Sequence, residues 1–201
     1  MGQGNWQQAL EFAASEREIA AKLHSRERLG WTYMVTSLSH IALGRPEAGE
    51  LELREGIALA ELLGEKRLRG LLKGNLAIAL ADVGRPDEGL QTGRETFNDA
   101  EALGLLYTRT EARRCLAHVY FRRGELDETL RLCEEILALL GEGKSPVSRL
   151  WLGPLHVEAL FQAGRVDEAR RRLADYEAVV AGCQSPRFDQ EATRLRELVG
   201  G

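Results

Sequence analysis

The chain has 201 residues, of which 44% are apolar and 29% charged, with a net charge of -4. That is the composition of an ordered domain or elongated array rather than a disordered chain. An acidic balance gives no global attraction to phosphate backbones or anionic membrane surfaces, so neither nucleic acid nor a membrane is expected as a partner. No apolar run is long enough to span a bilayer, and the first residues, MGQGNWQQALEFAASER, lack the apolar stretch of a secretion signal. Cys115, Cys133 and Cys183 form no CxxC motif and are odd in number. They suit a reducing compartment, here taken as the cytoplasm. Of the 27 basic residues only Lys22, Lys66, Lys73 and Lys144 are lysine, a bias associated with GC-rich bacterial genomes.

Taken in chain order, the pattern is helical throughout. Helices are predicted near 5–23, 26–43, 46–63, 66–83, 86–103, 106–123, 126–140, 146–163, 166–182 and 187–199. Their register is set by glycine: Gly4, Gly44, Gly84, Gly124 and Gly164 stand forty residues apart. The later four each follow an apolar-periodic run, as in SLSHIAL or NLAIALADV, where a helix must end in a left-handed residue. Pro46 or Pro86 then presets a new first turn, and an acid follows at Glu47, Asp87, Asp127 or Asp167, where the helix dipole favours it. Each glycine therefore predicts a tight helix-turn-helix. Ser25, Ser145 before Pro146, and Ser185 before Pro186 read as helix starts. Gly153-Pro154 falls inside the eighth helix and is expected to kink or shorten it. Strand signals are absent. The resulting layout is a single domain over 1–201: a half repeat at 4–25, repeats at 26–65, 66–105, 106–145 and 146–184, and a capping helix at 186–199. One hairpin cannot bury its apolar stripe alone, so neighbouring hairpins are expected to stack into an α-solenoid.

These units resemble tetratricopeptide (TPR) repeats of a forty-residue kind. The resemblance rests on Ala77, Leu80 and Gly84; on Ala117, Tyr120 and Gly124; on Gly164 and Ala169; and on Gly4 and Ala9. The sequence departs from the pattern at Gly49, Gly89 and Thr129, which replace the alanine after the turn, and around Tyr33, Ser37, His40 and Gly153. The resemblance implies an all-α, right-handed superhelical solenoid whose first helices line a concave groove. It implies a protein-interaction scaffold rather than an enzyme, of the kind found in larger bacterial regulatory or signalling proteins.

Carried over position by position, the groove would comprise Trp31, Met34, Leu38 and Ile41, then Leu71, Asn75, Ile78 and Asp82. Arg114, His118, Phe121 and Arg122 follow, and then Trp151, Glu158, Phe161 and Gln162. Asn75 takes the place whose amide commonly holds a peptide backbone. A groove that is apolar near Trp31 and cationic-aromatic near Arg114 would suit a peptide with apolar anchors and an acidic group. Several of these aromatics are equally suited to packing between repeats. A second reading is structural. The opening half repeat carries Trp6, Leu10 and Phe12 without a partner helix and could serve self-association into a homo-oligomer.

Catalytic chemistry finds little support. Ala138 to Ser145, ALLGEGKS, fits a loose phosphate-loop pattern. That loop needs a strand before it, and here a helix precedes and Pro146 follows at once. His24, His40, His118 and His156 stand singly, with no metal-ligand spacing, although His118 lies at a groove position. No nucleophile motif is present, and the acid pair Glu134-Glu135 and the run Arg170-Arg171-Arg172 read as solvated helix faces. No cofactor, metal or catalytic residue is expected.

Overall fold

The computed structural model describes residues 3–141, 145–183 and 185–200. The described residues form ten α-helices and no strand: α1 (Gln3–Lys22), α2 (Arg26–Ala42), α3 (Pro46–Leu63), α4 (Lys66–Asp82), α5 (Pro86–Leu103), α6 (Leu106–Arg122), α7 (Leu126–Leu140), α8 (Pro146–Gln162), α9 (Val166–Ala181) and α10 (Pro186–Gly200). Two compact units result, Met1–Cys115 and Leu116–Gly201.

The glycine register has a direct structural cause. Gly44, Gly84, Gly124 and Gly164 all take left-handed backbone, with φ between 74° and 83°. At each, the following residue donates its N–H back across the turn: Arg45 to the His40 carbonyl, Arg85 to Leu80, Glu125 to Tyr120 and Arg165 to Leu160, all at 2.9 Å. This is the Schellman closure, which satisfies carbonyls that the ending helix would otherwise leave bare. A second ladder lies half a period away. Gly64 and Gly104 are left-handed at φ 69° and 71°, and His24 occupies the equivalent place at φ 51°. Glu65 and Ser25 close two of those turns on the Ala60 and Ala20 carbonyls at 2.9 and 2.8 Å.

Gly4 departs from the register. It falls within α1 and not at a turn, because no helix precedes it among the described residues. The helix starts read at Ser25, Ser145 and Ser185 are observed, although the side chains of Ser25 and Ser145 cap no backbone N–H. Ser145 Oγ instead lies 2.9 Å from Ser148 Oγ. Helix α8 departs from expectation and runs unshortened from Pro146 to Gln162 with Pro154 inside it. The ring of Tyr176 packs so closely on Gly153 that no Cβ would fit there. Tertiary packing thus outweighs the missing backbone donor. Of the phosphate-loop stretch, residues 142–144 lie outside the described residues.

Within each hairpin the two helices cross at one small residue. A Cβ on Gly89 would stand 2.7 Å from the Ala77 carbonyl, and one on Gly49 would stand 2.9 Å from that of Ser37. Thr129, at the same register, is fully buried and places its hydroxyl 3.4 Å from the Ala117 carbonyl. The departures from alanine at these positions are therefore adjustments of a single close crossing. In the first unit the core gathers Leu53, Leu68, Leu72, Leu76 and Leu80. In the second it gathers Leu150, Val157, Leu160, Leu173, Tyr176 and Leu195.

Candidate functional site: a cleft between α4, α5 and α6

In the first unit, the sequence-predicted groove residues divide into those held by the fold and those open to solvent. Trp31, Met34 and Ile41 pack against the α3–α4 leucines. Trp31 also lies 5.9 Å from the Arg67 guanidinium, which in turn stands 5.6 Å from the Tyr107 ring. Leu38 and Ile78 are half-buried, Asp82 is exposed and Leu71 is buried. The Asn75 amide donates to the Leu71 carbonyl, one turn back on its own helix, at 2.8 Å.

Arg114 is not the open cation that the sequence suggests. Its Nε donates to Glu111 at 2.9 Å, and both side chains are largely shielded from solvent. Burial alone would lower the Arg114 pKa, but the Glu111 carboxylate outweighs it and holds the guanidinium charged. At Arg114 the expected cation is thus paired with an acid.

A cleft of about 190 Å³ lies among α4, α5 and α6 of this unit. Helix α4 gives it Leu71 and Asn75, and beside them Gly70 and Gly74, to which the repeat spacing does not point. Helix α5 contributes Thr96 and Ala100, and α6 contributes Thr108 and Cys115. The rim is charged: Arg69 bonds Asp99 at 3.0 Å. Two glycines one turn apart inside a helix cost roughly 1 kcal/mol each relative to alanine. Gly74 has a packing reason, since a Cβ there would stand 2.9 Å from Cys115 Sγ. Gly70 has none: nothing lies within 4 Å of where its Cβ would be, and its backbone is not left-handed. Its missing side chain leaves the cleft open. Glycine at a helical position with neither packing nor turn to explain it is the signal in the sequence for this cleft.

Burial raises the Cys115 thiol to about 11, against a smaller opposing pull from Arg114. Cys115 is therefore a neutral wall rather than a nucleophile.

In the second unit, His118 is half-buried, Arg122 and Gln162 are exposed, and Phe121 and Phe161 pack on the apolar core. Helix α10 engages the remaining two predicted residues. Trp151 meets Phe188 edge-on, with centroids 5.6 Å apart, and carries the Arg187 guanidinium 4.4 Å above its ring. Glu158 is ion-paired with Arg194. The Trp151–Arg187 pair repeats Trp31–Arg67 three periods later, so this aromatic-cation contact belongs to the stacking of the repeats. Beneath α8, His156 is buried in a cavity of about 40 Å³ bordered by Tyr176, Arg149 and Arg172. Burial lowers its pKa to about 4, although nearby Glu134 opposes this. No group of three or more His, Cys, Asp or Glu residues among those described is placed to hold a metal ion. No helix is long and apolar enough to cross a membrane, again among the described residues.

Residues 71–94, 110–135 and 155–175 match the tetratricopeptide repeat family model. These segments span the turns at Gly84, Gly124 and Gly164. None of the curated proteins matches the chain in sequence. Among solved structures, it is similar to BtubC (BKLC) from P. vanneervenii, with a TM-score of 0.64 at 15% identity over 89% of this chain and 74% of that one. It is also similar to the nearly identical TPR-like repeats of a kinesin light chain candidate from Podosopora anserina. There the TM-score is 0.57 at 21% identity, over 90% of each chain. A single-substitution variant of that protein gives 0.59 at 21% identity, over 90% of this chain and 89% of that one. At such identities the likeness speaks for the fold. The chain thus carries tetratricopeptide repeats at these three successive turns, and over nine-tenths of its length its fold is similar to that of solved TPR-like repeats.

Proposed function

We propose that this chain is a non-catalytic protein-interaction module that binds an extended segment of a partner, seating one apolar side chain in the α4–α5–α6 cleft. The observation that carries the reading is Gly70, a mid-helix glycine whose absent Cβ faces open space in the cleft wall. Glycine is favoured where a second backbone must approach closely. The volume argues for a side chain and not a cofactor: about 190 Å³ falls below the roughly 300–1,000 Å³ typical of small-molecule sites. Thr96 and Thr108 donate their hydroxyl protons to the Thr92 and Leu105 carbonyls, which leaves their oxygens to accept from a peptide's N–H, and the second N–H of the Asn75 amide can donate to a peptide's C=O. Leu38, Ile78 and Asp82 extend the contact along α2 and α4. The module would work in the cytoplasm within a larger bacterial regulatory protein, a setting that suits its three free thiols.

The test is a peptide-display selection against the wild-type chain, followed by affinity measurement on two variants. Gly70→Leu fills the cleft, and Asn75→Ala removes the amide. Selected peptides should carry a shared apolar anchor, and Gly70→Leu should weaken their binding at least tenfold with unchanged circular dichroism. Peptides that bind Gly70→Leu as well as wild type would sink the assignment.

A further inference from the structure

Helices α1 and α2 leave an apolar groove of about 610 Å³, lined by Phe12, Ile19, Trp31 and Val35 with Ala9 and Ala13 beneath. Its position in the repeat identifies what kind of surface it is. Adding two periods to Glu16, Ile19, Arg28, Trp31, Thr32 and Val35 gives Thr96, Asp99, Thr108, Glu111, Ala112 and Cys115, which are walls of the α4–α5–α6 cleft. There the third wall is α4. At α1 and α2 the same groove has no third helix among the described residues. It is thus the continuation of an interface that the chain makes with itself two periods later. Two charged walls of the cleft become apolar here, Trp31 standing for Glu111 and Ile19 for Asp99, while the charges move to the rim, with Glu16 for Thr96 and Arg28 for Thr108. Phe12 is 75% exposed, Ile19 47% and Val35 44%.

We propose that this face is covered by the same face of a second copy, giving a two-fold dimer through α1. A head-to-tail stack would instead place α10 against α1. The α10 positions equivalent to the hairpin-facing Tyr33, Thr36 and Ser37 are Thr193, Arg196 and Glu197, all exposed. Seating Arg196 and Glu197 on Phe12 would strip charges of water for no return. The α1–α2 face is self-complementary. Phe12 stands out as a knob beside a groove large enough to receive it, and Ala9 and Ala13 allow the helices to approach. A two-fold axis perpendicular to α1 would set its two copies antiparallel, as the two helices of every hairpin are. Its charges complement themselves as well. Glu16 and Arg28 pair with each other at 3.1 Å on the groove wall, so a second copy covering the face leaves neither charge without an opposite partner.

This proposal stands independently of the peptide cleft. It is tested by sedimentation velocity over a rising concentration series, with wild type and Phe12→Glu compared. Phe12 is exposed, so the variant should keep its helicity and melting temperature. The wild type should move from monomer to dimer mass and stop there, and Phe12→Glu should raise the dissociation constant at least tenfold. The proposal is overturned by a wild type that stays monomeric into the millimolar range. Association that grows past the dimer, or a dimer indifferent to Phe12→Glu, overturns it equally. So does a monomer that instead binds a synthetic peptide of residues 66–82.

Discussion

His24 is the clearest case of a single residue working against its backbone. It sits at φ 51° where Gly64 and Gly104 hold the equivalent turns. His24→Gly should therefore raise stability by roughly 0.5–1 kcal/mol, read by urea denaturation. Gly84→Ala should lower it by about 1–2 kcal/mol, purely from conformation, since nothing lies within 4 Å of the new Cβ. His156 gives a pH signature. Its folded-state pKa is lowered to about 4 by burial, against an ordinary value of 6.5. The unfolded chain thus binds the proton first, and the stability that neutral His156 contributes is complete above about pH 6.5. It is lost as pH falls toward 4, and His156→Asn should flatten the melting temperature across that window. Glu88 and Glu101 add a loss below the carboxylate range, because hydrogen bonds from Arg85 to the first and from Arg109 and Arg113 to the second depress both. The partners of Glu101 are not legible in the sequence. They join residues of different helices, and only packing decides which arginine reaches which acid.

The helices themselves are legible almost to the residue. Their ends are written in glycines that only a left-handed turn explains, and the period repeats that evidence. Sequence and structure part where packing overrides local chemistry. Pro154 is carried through α8 as Tyr176 packs on Gly153, and Ser145 spends its hydroxyl on Ser148. The two glycines of α4 separate packing from opening. Gly74→Ala should destabilise, because its Cβ meets Cys115 Sγ at 2.9 Å, whereas Gly70→Ala should stabilise by roughly 0.5–1 kcal/mol. If both substitutions destabilise alike, Gly70 has a structural duty and the cleft loses its best support. Leu72, fully buried at the α3–α4 contact, should cost about 2–5 kcal/mol on truncation to alanine.

At the scale of the whole chain, the repeat arithmetic locates the elements but not the character of their inner surfaces. The family pattern points at Asn75 and Leu71, and both border the cleft. It points equally at Arg114, Trp151 and Glu158, but these are spent on Glu111, on Phe188 with Arg187, and on Arg194. A groove position records where a side chain starts, and its neighbours in space decide whether it is available. For Trp151 and Glu158 those neighbours lie on the next repeat, fixed by packing that no single repeat contains. The peptide cleft is the central claim, and amide chemical-shift mapping of the labelled chain with a display-selected peptide tests it most directly. Perturbations should concentrate at Gly70, Gly74, Asn75, Thr96 and Thr108 and vanish in Gly70→Leu. Perturbations that avoid these residues and fall elsewhere, such as on α8 and α10 around Trp151, would contradict it.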